Sequence, residues 1–176
     1  MAEAPHRLGD PPDSRQRPGE LTGKHDGSSL TIAVVCARFN DEVTLRLLEG
    51  AYDRLDRLGI TEDHRLVAWV PGAFELPLAA KALAESGRYD AVVCLGAVIR
   101  GETSHYDFVA GECASGLQRV QLDTCVPVIF GVLTTENIGQ ALDRSGGKLG
   151  NKGDESVVTA VETANLLTRL KGHTPV

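Results

Sequence analysis

"DAVVCLGAVIRGETSHYDF", residues 90 to 108, joins an apolar run to a short polar loop and then to a histidine that opens a helical stretch. A strand that is apolar at nearly every position is buried on both faces, which marks a parallel sheet covered by helices on each side. In the loop, Gly101 allows the backbone to approach a ligand closely, and Thr103 and Ser104 are good helix-starting residues. The first amides of such a helix point outward unpaired and can hold a phosphate. His105 falls in the first turn, where a neutral imidazole beside an anion could shuttle protons. A helix cap followed by a half-exposed histidine accounts for the same residues equally well.

The alternation repeats along the chain. "LTIAVVC" (30 to 36) reads as a buried strand, and Asn40 as the N-cap of a helix. Val43, Leu47, Ala51, Leu55 and Leu58 trace one face of that helix, and Gly59 ends it. "RLVAWV" (65 to 70) precedes "PGAFELP" and a helix that stops at Ser86-Gly87. The helix after His105 is expected to reach about Val120. "PVIFGVL" (127 to 133) precedes "TTENIGQALDRSGG" and a final helix from Lys152 to about Leu170. With right-handed crossovers this gives a three-layer α/β/α domain around a mostly parallel four-stranded sheet, flavodoxin-like. Residues 1 to 19, rich in Pro, Arg and acidic side chains, read as a disordered extension, and residues 20 to 176 as one domain.

Bulk composition narrows the function. The 176 residues suffice for one domain with a real core, and 42% hydrophobic and 24% charged residues are ordinary for a soluble protein. A formal net charge of -6 argues against nucleic acid or an anionic membrane as the main partner. The longest apolar runs are too short to span a bilayer, and residues 1 to 29 hold no secretory apolar region, so the cytoplasm is expected. Cys36, Cys94, Cys113 and Cys125 show no CxxC spacing; reduced thiols are expected, not a metal site or disulfides.

Ligands in open α/β sheets bind at the carboxyl ends of the strands, here "ARFN", "PGAFE", "AVIRGETSH" and "VLTTEN". "ARFN" lacks the glycines of a dinucleotide fingerprint, and no GxxxxGK[ST] loop occurs. Phe39 could stack on a flat ring or act as a hydrophobic staple. Glu75 could hold hydroxyls or serve as a first-turn helix acid. Ala97 to Ile99 could offer backbone groups to a heterocycle edge or be plain strand. Beyond Arg100 the third loop has no cation; Arg144 and Lys152 come later and could be ordinary surface charges.

Taken together, "ARFN", "VPGAFELP", "GAVIRGETSHYDF", "FGVLTTE", "ALDRSGGKLGNKG" and "ESVVTAVETANL" resemble the lumazine synthase (6,7-dimethyl-8-ribityllumazine synthase) family, in order and from about residue 20 to about 170. The resemblance implies condensation of 5-amino-6-(D-ribitylamino)uracil with 3,4-dihydroxy-2-butanone 4-phosphate, releasing phosphate and water, as the penultimate step of riboflavin synthesis. It assigns Phe39 to stacking on the pyrimidine, with Asn40, Ala73, Phe74 and Glu75 on the ribityl side and Ala97, Val98 and Ile99 at the uracil edge. Glu102 and Thr103 would supply the phosphate loop, and His105 would transfer protons. Phe130 and Arg144 would come from a neighbouring subunit, Arg144 gripping phosphate, with Lys152 and Glu155 lining that side. No metal or organic cofactor is implied. Pentamers, separate or closed into an icosahedral shell, are expected, with active sites between subunits and riboflavin synthase as a candidate partner. A segment near residues 20 to 26 would add a strand to the adjacent subunit. Phe74 stands where many members carry Trp, and the proline-containing tail before Glu20 is extra. Two rival readings are a non-catalytic flavin- or lumazine-binding member and a generic flavodoxin-like nucleotide module. His105 and Arg144 favour the enzyme over the first, and the missing phosphate loop after the first strand disfavours the second.

Overall fold

Four parallel strands form the sheet, in the order β2-β1-β3-β4: β1 (Ile32–Ala37), β2 (Arg65–Val70), β3 (Ala91–Ile99) and β4 (Val128–Thr135). The computed structural model describes residues 19–172. The expected extension over residues 1–19 therefore lies, apart from Gly19, outside the described residues, as does the end of the chain after residue 172.

The two-sided burial read from the sequence holds for the central strands. Ile32, Val34 and Cys36 of β1 and Val93, Leu95 and Ala97 of β3 belong to a core cluster with α1 (Asp41–Arg57) and α5 (Lys152–Gly172). Alternate residues of the same strands, Ala33, Val35, Val92, Cys94 and Val98, form a second cluster with α2 (Leu76–Glu85) and α3 (His105–Thr124). Leu47, Leu55, Leu76, Leu95 and Leu117 are almost fully enclosed, and burial of each such side chain stabilises the fold by about 1.5–3 kcal/mol. On one face α5 approaches α1 closely at Gly153, where a Cβ would collide with the Leu47 carbonyl.

Strand registers put the functional end in place. Asp90 accepts from the Thr31 amide at 2.7 Å and its own amide donates to the Thr31 carbonyl at 2.8 Å, which aligns the starts of β1 and β3. Pairing of β1 with β3 ends at Cys36 and Leu95, whereas β3 continues beside β4 as far as Ile99 and Thr135. The third strand thus outruns the first.

Three further features differ from expectation. α3 continues to Thr124, past the predicted end near Val120. Within "TTENIGQALDRSGG" the chain forms α4 (Ile138–Asp143), whose first turn is capped by the Asn137 side chain accepting from the Gln140 amide at 3.0 Å. A small antiparallel pair follows, β5 (Ser145–Gly147) and β6 (Gly150–Asn151), with Gly146 and Gly150 at positive φ. These elements are too short, and bury too little, to leave a periodic trace in the sequence.

Residues 20 to 31 form no strand within the chain. They run along α5: Asn165 donates to the Lys24 and Asp26 carbonyls at 2.7 and 2.9 Å, and Arg169 to the Thr22 carbonyl at 2.6 Å. β2 is an edge strand, and Leu66 and Trp69 on it are exposed.

All four cysteines are free thiols, with Cys36, Cys94 and Cys113 buried and Cys125 exposed. Burial pushes the Cys36 and Cys113 thiols up to about 12, and Cys94 is raised as well, first by burial and then by the neighbouring Cys113. The thiolate is the reactive form. In the native protein at about pH 8, an aromatic disulfide reagent is therefore expected to label Cys125 rapidly and to leave the three buried thiols unreacted until denaturant is added. Rapid labelling of more than one thiol in the native state would contradict this packing.

Candidate active site

Each loop that leaves the sheet at its carboxyl end is laced to its neighbour. The Arg38 amide donates to the Val70 carbonyl at 2.9 Å and the Phe39 amide to the Pro71 carbonyl at 3.0 Å, which joins the loops after β1 and β2. The Arg100 amide donates to the Thr135 carbonyl at 2.8 Å, which joins those after β3 and β4. Between the two pairs, the Asn40 side-chain Nδ2 donates to the Ala97 carbonyl at 2.8 Å. Asn40 was expected to cap α1 with its side chain; it occupies the cap position but makes no such bond. Its backbone sits in the left-handed region at φ 62°, which frees the amide to reach across to β3.

A cavity of about 700 Å³ opens at this junction. Its lining includes Phe39, Asn40, Ala73, Phe74, Glu75, Ala97, Val98, Ile99, Thr103 and His105, all singled out above, together with Gly72 and Gly101 of the quoted loops. Sequence reasoning missed Tyr106, Phe108 and Val109, which also line it. Phe108 lies three residues beyond His105 on α3, so helical spacing puts it on the same face; that spacing was the available signal. Phe39, Phe74 and Phe108 are 71%, 56% and 66% exposed. Three large rings around one cavity, left uncovered by their own chain, suit a flat ligand better than a core.

The polar groups are placed for different tasks. A short turn, Ala73–Glu75, leads into α2, and Glu75 Oε2 accepts from the Gly72 amide at 2.9 Å. The first-turn role and the ligand role of Glu75 are compatible, because a carboxylate has a second oxygen with which to accept a hydroxyl. Ser104 holds the cap position of the 20-residue α3 but makes no side-chain cap bond. Side-chain bonding at the helix start is limited to a long contact of 3.4 Å from the His105 amide to Thr103 Oγ1, and the Asp107 amide donates to the Ser104 carbonyl at 3.0 Å. Without a side-chain cap, the start of α3 leaves first-turn donors for an anion.

No lysine or arginine lines this cavity. Arg100 stands next to it, but its guanidinium is engaged by Asp107 at 3.2 Å and Glu136 at 3.0 Å. Hydrogen bonds to those two carboxylates raise its pKa and hold its charge in place. Glu102 is exposed on the same loop without lining the cavity. Phe130, Arg144 and Lys152 lie elsewhere in the chain. Phe130 is a partly buried residue of β4 packed on the α2–α3 side. Arg144 ends α4 and donates to the Gln140 carbonyl at 3.1 Å. The Lys152 amide donates to the Arg144 carbonyl at 2.8 Å, and Lys152 Nζ meets Glu155 at 3.1 Å, so these three residues gather at the β5–β6 hairpin.

A second groove, of about 840 Å³, lies between α1, the hairpin and α5. It mixes cations with carboxylates, and Arg54 is already fixed to Asp154 at 2.6 Å, so it offers neither a field of one sign nor an apolar platform. Among the described residues, no group of three or more His, Cys, Asp or Glu is placed to hold a metal ion, and no helix is long and apolar enough to cross a membrane.

Fold and cavity together define an α/β domain whose ligand crevice lies between β1 and β3, where the strand order reverses. The chain belongs to the 6,7-dimethyl-8-ribityllumazine synthase family, whose family model matches residues 29–168. It is accordingly a transferase-type enzyme with a role in riboflavin biosynthesis.

Asn40 gives a direct test of how the crevice is held open. Asn40→Ala removes the bond to Ala97 and forces a side chain poorly suited to positive φ, at an expected cost of about 1–3 kcal/mol. Asn40→Gly loses the same bond without the backbone strain and should cost less. Urea unfolding midpoints of the three proteins check the order; equal midpoints for wild type and Asn40→Ala would show that the bond carries nothing.

Proposed function

We propose that this protein condenses 5-amino-6-(D-ribitylamino)uracil with 3,4-dihydroxy-2-butanone 4-phosphate to give 6,7-dimethyl-8-ribityllumazine, phosphate and water, at a site completed by a second copy of the chain. The observation that carries this reading is a cavity with a helix start that lacks a side-chain cap, a histidine and aromatic walls, yet no lysine or arginine among its lining residues. Family membership supports the substrates.

In this reading the pyrimidine stacks on Phe39, its edge meets the backbone of Ala97 to Ile99, and the ribityl hydroxyls meet Asn40 and Glu75. The amides at Thr103 and His105 receive the phosphate. Arg144 of a neighbouring chain supplies the missing positive charge, with Phe130 and Lys152 beside it. The amine attacks the ketone, an imine forms, phosphate leaves by elimination, and ring closure with loss of water follows. Holding the two reactants together lowers the barrier by several kcal/mol. His105, which lines the cavity at the start of α3, moves protons during elimination and closure. Head-to-tail contacts of this kind close into rings, and a pentamer is part of the proposal.

His105→Ala is expected to lower kcat about 10- to 1000-fold, with little change in the KM of the ribitylaminouracil. Unchanged turnover at saturation would reduce His105 to a residue of the helix start. Arg144→Ala should impair the enzyme mainly through its use of the phosphorylated ketone. Mixing the two impaired variants in equal amounts, unfolding and refolding them tests the shared site. Random assembly pairs an intact His105 face with an intact Arg144 face at about one interface in four, so activity should rise towards about a quarter of wild type. Recovery of nothing would place both residues in one chain's site and overturn the reading.

A further inference from the structure

We propose that Arg100 is a positioning residue, which clamps the first turn of α3 to the end of β4 and so holds His105 and the loop 101–104 at the cavity. The inference rests on the proposed reaction for its kinetic readout, but its geometry stands by itself. Arg100 is the first residue after β3, and its amide extends the pairing with β4 by one step, to Thr135. Its side chain then grips two other segments at once. Nη2 meets Asp107 at 3.2 Å, Nε meets Glu136 at 3.0 Å, and the guanidinium lies 4.0 Å from the centre of the Tyr106 ring.

Residues 101 to 104 are thus a loop closed on itself: one end is Arg100, and the other is held by the side chain of Arg100 through Tyr106 and Asp107. His105 is the residue immediately before this grip, and Tyr106 lines the cavity with it. Beside this grip the helix start has the bond from the Asp107 amide to the Ser104 carbonyl at 3.0 Å, and Ser104 makes no side-chain cap bond. A planar fork is suited to the task, because it satisfies two carboxylates in fixed directions while its face stacks on an aromatic ring.

Exposed ion pairs contribute little to stability, and all three charged partners here are substantially exposed. The consequence belongs to catalysis instead, where a displacement of about 1 Å can cost about 100-fold in rate. Two carboxylates against one guanidinium also leave Arg100 poorly suited to serve as the cation for a phosphate. Positioning and direct phosphate binding therefore predict different kinetics.

The test measures kcat and both KM values for Arg100→Gln, Arg100→Lys and Asp107→Asn, each in the wild-type and the His105→Ala background. Arg100→Gln is expected to lower kcat about 10- to 100-fold. The KM of the ribitylaminouracil should stay within about twofold, and the further loss on His105→Ala should be less than about twofold. Arg100→Lys should lose less, because it keeps one ion pair, and Asp107→Asn should reproduce part of the loss with the arginine in place. An equal loss in both backgrounds, or a raised KM for the phosphorylated ketone at unchanged kcat, would overturn the proposal. Should the wild type not turn over these substrates, the proposed reaction fails, and the His105 ring signals in proton–carbon NMR spectra decide the clamp. A shift of those signals in Arg100→Gln, with the His25 and His64 signals unmoved, supports it; an unmoved His105 overturns it.

Discussion

The step in the sheet, where β3 runs on beside β4 after β1 has stopped, is the constraint from which the site follows. Beyond Leu95 the β1-facing side of β3 has lost its strand partner, and a buried carbonyl there must still find a donor. The Asn40 amide supplies it at Ala97. That single bond joins the loop carrying Phe39 to the strand end carrying Val98 and Ile99, and it does so at the point where chain connections diverge to opposite sides. A crevice at the strand ends is a property of the topology. Its width here is set by an asparagine that has left the cap position's usual bond unmade.

In the proposed reaction, charge explains why one chain does not suffice. The protein carries a net charge of -6, so a phosphate must be met locally. The start of α3 provides partial positive charge, while the Arg100 guanidinium beside it is paired with Asp107 and Glu136. Arg144 and Lys152 sit at the hairpin after α4, joined by their backbones, and neither lines the cavity. Amides alone bind an anion weakly against bulk water, and a dianionic phosphate gains most from a paired cation. The need for a second chain in the proposed reaction is thus an electrostatic need before it is a geometric one.

Most of the fold was legible because burial repeats. The β3 run is apolar on both faces, and the Val43, Leu47, Ala51, Leu55 face of α1 has helical spacing; both became core as read. α4 and the β5–β6 hairpin escaped notice because each depends on a single local device, the Asn137 cap or glycines at positive φ, and buries very little. At the site, residues in loops of unusual composition were found, whereas Tyr106 and Phe108 were missed. An aromatic residue in a helix reads as core until its neighbours fail to cover it, and only tertiary structure reveals that failure. Arg100 escaped for a related reason: its partners Asp107 and Glu136 are far apart in sequence, and nothing in their spacing announces a shared cation.

Local choices that a sequence selected for stability alone would avoid concentrate around the crevice. Asn40 takes a left-handed backbone. Thr44, one helical turn later, buries a hydroxyl without a partner among the described residues. Ser104 leaves a helix start uncapped, and three phenylalanines stand exposed. Cys125, the other non-glycine residue with positive φ among the described residues, lies at the far end of α3, where helix termination accounts for it. Each departure at the crevice costs on the order of 1 kcal/mol or more. The two enclosed core clusters make these costs tolerable, since most of their buried residues belong to the strands and helices. The loops are then free to meet the requirements of a ligand, and the hydrogen bonds that lace them pairwise keep that freedom from becoming disorder.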